Sequence, residues 1–155
     1  MRIHMAVTVL ALLLLTGASS PRATADKAAK AWVCIGAMSG GFAPNRDTHR
    51  WELRAFPPGR YVVTKGTNAT AQKFPWEVRL FGAPDDAVLA FCERDFDAKI
   101  HDLACTTGLG SNFFFNRQTL RFTLISASAG YINSGAADLG ELPPPTIEIG
   151  ECSAV

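Results

Sequence analysis

From residue 31 onward the chain reads as short apolar bursts with a period of two, separated by turn formers. Trp32-Val33-Cys34-Ile35 is a β-prone run, and Gly36 predicts its end. Residues 50–56 alternate: Trp51, Leu53 and Ala55 share one face, Arg50, Glu52 and Arg54 the other, and Pro57-Pro58-Gly59 stops them. Tyr61-Val62-Val63-Thr64 follows, then Trp76-Glu77-Val78-Arg79-Leu80 with Trp76, Val78 and Leu80 inward. Residues 87–92, 112–116 and 119–126 predict three more strands. Pro143-Pro144-Pro145 is a stiff lead-in to a last strand over residues 146–149. Residues 130–142, rich in Gly, Ala and Ser, predict a long surface loop. Residues 83–90 and 94–103 have room for a helical turn but no helical periodicity. About eight short strands with frequent turns predict an all-β domain, a small antiparallel sandwich or barrel. Periodicity does not choose between the two.

Two segments match each other. Residues 42–53 and 113–124 both read F-x-x-N-R-x-T-x-R-aromatic-x-L. The pattern is that of a hairpin. Asn bonds its own backbone in the turn, Thr restarts the strand, and the aromatic residue and Leu, two apart, share a face. The repeat therefore predicts two similar hairpins, with Trp51 and Phe122 facing the core.

The first 25 residues have a different character. Arg2 and His4 precede an apolar run over residues 5–15, which Thr16 and Gly17 break, and Ala23-Thr24-Ala25 has the small-x-small form that signal peptidase accepts. The run is too short for a bilayer span, which needs about 20 residues. Residues 1–25 are thus expected to be a cleaved signal peptide, residues 26–30 a loose tail, and residues 31–155 one β domain. The expected location is the periplasm or the medium, with no membrane span after cleavage.

Export changes the reading of the cysteines. Cys34, Cys92, Cys105 and Cys152 show no C-x-x-C or Cys/His spacing, which argues against zinc, whereas disulfides suit an exported chain. Four cysteines allow three pairings. The favoured one is Cys92–Cys105, closing a short polar excursion, with Cys34–Cys152 joining first strand to last, because domain termini often lie close together.

Charge narrows the partners. Loss of Arg2 and Arg22 takes the 15 basic residues to 13 against 14 acidic ones. A near-neutral domain gives no reason to expect nucleic acid. Arg46, Arg50, Arg54 and Arg60 lie close together, but Asp47 and Glu52 oppose them, as on a solvated strand face.

The cysteine strand followed by Gly40-Gly41-Phe42, the segment from Asn45 to Trp51, and the pair Cys92 and Cys105 resemble a set of small exported bacterial proteins of uncharacterised function. So do the F-N-x-x-T-x-R-F hairpin from Phe115 to Phe122, the Gly130-Tyr131 step and the closing Ile149-Gly150-x-Cys152. The resemblance covers nearly all of residues 31–155. It implies export and paired cysteines, and no particular activity.

Catalytic patterns were sought among the polar residues. Ser39 in Met38-Ser39-Gly40-Gly41 looks like a protease nucleophile segment, but no histidine precedes it after residue 25, and a turn is the simpler role. His49 is expected at a half-exposed sheet position. His101 and Asp102 are neighbours, which on an extended chain point to opposite faces. Asp95, Asp97 and Asp102 share one loop but fit no EF-hand spacing. No catalytic, cofactor-binding or metal-binding residue is assigned, and no cofactor is expected. The expectation is a non-enzymatic binding or structural domain with an unknown protein or small-molecule partner. Its specific form is an inhibitor of a lytic enzyme such as lysozyme. The alternative is a small hydrolase or sugar-active enzyme using Glu93, His101 and Asp102. Export itself is testable: N-terminal sequencing of the secreted or periplasmic protein should read from near Asp26, and a retained Met1 would refute cleavage.

Overall fold

The computed structural model describes residues 29–45, 47–67, 71–84, 87–108, 110–127 and 144–155. The expected leader and the surface loop over residues 130–142 lie outside these, as does most of the tail, although Ala29 packs against the core. Nine strands follow one another: β1 (Ala31–Asn45), β2 (Arg50–Ala55), β3 (Arg60–Lys65), β4 (Trp76–Leu80), β5 (Val88–Cys92), β6 (Asp102–Thr106), β7 (Asn112–Asn116), β8 (Arg121–Ser126) and β9 (Thr146–Ala154). Every pairing is antiparallel. Strands β3 to β9 pair in sequence and β9 returns to β1, closing an eight-stranded barrel to which β2 is added. Closure settles the choice between sandwich and barrel.

β1 does not end at Gly36. It runs on through a one-residue β-bulge between Gly36 and Met38, so Ser39 lies in a strand and not in a turn. A bulge bends and twists the strand that carries it. One edge of β1 pairs with β9; the other pairs first with β3 and then with β2. β2 and β3 keep the same register against β1, interrupted by the two prolines, which have no N–H to give. The ribbon of β2 and the end of β1 therefore extends past the barrel. β6, the strand the apolar pattern missed, has only Leu103 and Cys105 inward and begins at the end of the stretch over residues 94–103 that had room for a helical turn.

The interior is filled by side chains of alternate residues. Trp32, Tyr61, Trp76, Phe113, Phe115 and Phe122 are all buried, with Val63, Val78, Leu103 and the four cysteines between them. Phe96, from the β5–β6 loop, closes one end with its ring centroid 5.3 Å from Trp32 and 5.2 Å from Trp76. Disulfides join Cys34 to Cys152, directly opposed on β1 and β9, and Cys92 to Cys105 on β5 and β6. The second matters because β5 and β6 share a single bridging pair, Phe91 with Thr106.

The repeated motif forms the same turn twice. Asn45 Oδ1 accepts the N–H groups of Asp47 and Thr48, and Asn116 Oδ1 those of Gln118 and Thr119. The fifth residue, His49 or Leu120, takes positive φ, so His49 is in a turn and not in the sheet. A third copy stands at Asp97, which accepts from Lys99 and Ile100 and is followed by His101 at φ 62°. The strands after the two Asn turns differ in outcome. Phe122 is buried, but Trp51 is half-buried on the outer face and absent from the core.

Phe122→Ala should cost about 3–5 kcal/mol and Trp51→Ala about 1–2 in denaturant melts. Equal costs would contradict this placement of the two faces.

Candidate functional site

The last strand has its amphipathy turned inside out. Thr146-Ile147-Glu148-Ile149-Gly150-Glu151-Cys152 would suit a core with both isoleucines inward. In the structure Glu148, Gly150 and Cys152 face inward, while Ile147 is 57 % and Ile149 47 % exposed. Parity explains this. Side chains alternate, so a disulfide at Cys152 inside the barrel obliges 150 and 148 to point inward too. Gly150 lies opposite Gly36, and a Cβ there would meet the Ile35 carbonyl, the Phe122 ring and the Gly36 backbone.

The inward carboxylate is held by protein donors. The Tyr61 hydroxyl donates to Glu148 Oε2 at 2.9 Å, and the Gly59 N–H donates to Oε1 at 2.8 Å. Burial, then this hydrogen bond and the charge of Glu148, push the Tyr61 phenol far above its ordinary value, so it remains a donor. The other buried carboxylate, Glu77, accepts from Arg79 Nε at 2.8 Å.

The displaced isoleucines join other apolar groups outside. Met38 pairs with Ile149, Gly40 with Ile147, and Phe42 with Leu53, and residues directly opposed share a face. Met38 is 68 %, Phe42 52 % and Leu53 77 % exposed. Ile125 on β8 stands opposite Ile147 and continues the same face. Five large exposed apolar side chains thus lie together across β2, β1 and β9. Beside them β2 has no strand on its far side among the described residues.

A groove of about 460 Å³ runs along the outside of the β5–β6 seam, lined by Phe91, Ala104 and Thr106 and by Glu93, Asp95, Asp97 and Asp102. It brings together Glu93 and Asp102 of the enzyme alternative, but the loop's aspartates are engaged in structure. Asp95 accepts from Trp76 Nε1 at 2.7 Å and from the Phe96 N–H at 2.8 Å. Asp102 accepts from Asn116 Nδ2, and Asp97 caps its own turn. Burial pushes Asp95 up, yet those two bonds and the charges of Lys65 and Arg117 outweigh it and leave the carboxyl below its usual range. The N–H groups of Ile100 and Lys99 hold Asp97 below its usual range as well. No cluster of His, Cys, Asp and Glu among the described residues has the geometry to hold a metal. Of the arginine group, Arg50 and Arg54 lie exposed on one face of β2, Arg54 within 3.6 Å of Glu52, and Arg60 opens β3. Arg46 lies outside the described residues.

No protein-family model, curated protein or solved structure matches this chain. The outer face was missed in the sequence because its strands carry ordinary alternation. The signal available was Cys152: two even-numbered positions, 148 and 150, follow it inward once it is placed in the core.

Depressed carboxyls make stability pH-dependent. With folded values below the unfolded value of about 3.9, Asp95 and Asp97 contribute stability above roughly pH 4 that is lost as pH falls through their folded values. Thermal melts from neutral pH downward should show that loss, and Asp95→Asn should flatten it. An unchanged acid limb in the variant would refute the assignment.

Proposed function

We propose that this chain is an exported, non-enzymatic binding or structural domain, and that it meets a protein partner through the outer face of β2, β1 and β9. The observation that supports this most is the inversion of β9: Ile147 and Ile149 are exposed while Glu148 is buried. Contiguous apolar surface of this kind marks interaction sites, since each exposed side chain forgoes about 25 cal/mol per Å² of burial. The filled interior favours an external contact over a ligand within the barrel. Paired disulfides and an N-terminal segment of signal-peptide form favour export. Inhibition of a lytic enzyme is the specific form in which such a rigid face would act.

The test uses the oxidised protein, purified after export of the full chain. Immobilised wild-type protein and its Ile149→Asp and Met38→Asp variants are compared for capture from extracellular and periplasmic extract, and for slowing of peptidoglycan clearing by a lysozyme. A partner held by the wild type should bind either variant at least about tenfold more weakly, a difference near 1.4 kcal/mol. Retention of every partner by both folded variants would overturn the reading.

A further inference from the structure

We propose that β2 is a self-association strand: two copies of the chain pair their β2 edges, which carry no further strand among the described residues, antiparallel about a two-fold axis at Leu53. The pairing runs along the backbone edge and draws on the apolar face at Leu53, so its test is kept separate from residues of that face on β9. Isologous two-fold contacts join the same patch on both copies, so the strand must be complementary to itself read backwards.

The backbone phase of β2 restricts how this can happen. The Phe56 N–H donates to the Ser39 carbonyl at 2.9 Å, and Gly40 stands opposite Ala55 in the same register. Hydrogen-bonded positions alternate along an antiparallel pair. Arg54 and Glu52 therefore turn their backbone groups toward β1, and Ala55 and Leu53 turn theirs to the open side. A second β2 must set outward-pointing residues against outward-pointing residues. A register centred on Glu52 does so, but places Glu52 against its own copy and Arg50 against Arg54, like charge on like. A register centred on Leu53 also does so. It places Leu53 against Leu53, Trp51 against Ala55, and Glu52 against Arg54 on both sides of the axis.

Charges on an edge strand ordinarily blunt it. Here their order makes them complementary in one register and repulsive in the other. Glu52 and Arg54 are 43 % and 52 % exposed as side chains and approach within 3.6 Å along the strand; Glu52 Oε1 accepts from Asn45 Nδ2 at 2.7 Å, and its Oε2 is the oxygen turned to the guanidinium. Leu53 is 77 % exposed, and in this register its contact is with an equally exposed copy of itself. β2 leads on into β3 of the barrel at its C-terminal end, so antiparallel pairing places the two C-terminal ends at opposite ends of the joint ribbon. Pairing would also join the two apolar outer faces into one.

Sedimentation equilibrium of the oxidised, exported protein tests this directly. The wild type should be a concentration-dependent dimer. Leu53→Pro removes an N–H that points away from β1, so the hairpin ladder is kept, and the dimer should be lost while the melting curve stays cooperative. Glu52→Arg should also give a monomer, by setting a second guanidinium against that of Arg54 on each side of the axis. The charge swap Glu52→Arg with Arg54→Glu should restore the dimer. Ile149→Asp, on β9, should leave it intact, which separates failure of this proposal from failure of the face reading. A wild type that stays monomeric, a dimer indifferent to Leu53→Pro, or a charge swap that does not recover association would each overturn the proposal.

Discussion

Two covalent links between neighbouring strands set the terms for everything else in this molecule. Cys34 and Cys152 join the two strands whose pairing closes the barrel, and Cys92 and Cys105 join the two that share only one bridging pair. In a strand without a bulge a side chain's face is decided by parity. Placing the Cys152 sulfur inside therefore decides the face of β9, whatever the hydrophobicity of its other residues.

β9 shows the cost and its compensation. With Cys152 inside, a carboxylate enters the barrel and two isoleucines leave it. Two local features accommodate the carboxylate: Gly36, where a Cβ would collide with Glu148 Oε1, clears the space, and Tyr61 and the Gly59 N–H satisfy its oxygens. A buried charge without such donors would cost several kcal/mol. The bulge after Gly36 reverses the parity of β1, so that Cys34 faces inward before it and Met38 and Phe42 face outward after it, and the polar interior site and the external apolar face meet at one local feature.

Most of the strands were legible because turn formers bounded them and β-branched or aromatic residues filled them. The Asn-based repeat was legible as a hairpin because the side-chain oxygen that makes the turn is visible in the residue type. Its third copy was hidden, since Asp97 replaces Asn and neither Thr nor Arg follows at the same spacing. β6 was hidden because Asp102-Leu103-Ala104-Cys105-Thr106 has little apolar volume, and its place is secured by a sulfur bond more than by its own propensity. The outer face was hidden for a different reason. Alternation tells which residues lie together, but not which side is buried; Trp51 and Leu53 were rightly grouped and wrongly placed inward. The direction is set by long-range closure, to which a local pattern is blind.

The β5–β6 seam has a consequence for when the fold comes into being. One bridging pair is a weak clasp, and loop closure across a barrel must be completed before its interior contacts reward it. Without the Cys92–Cys105 bond, that one bridging pair is all that joins β5 to β6 in the ladder. Oxidation supplies the missing clasp. The barrel is thus a redox-dependent closure: the last seam of the cylinder is made firm by a sulfur bond, and the sealing of its interior follows the oxidation state of two thiols.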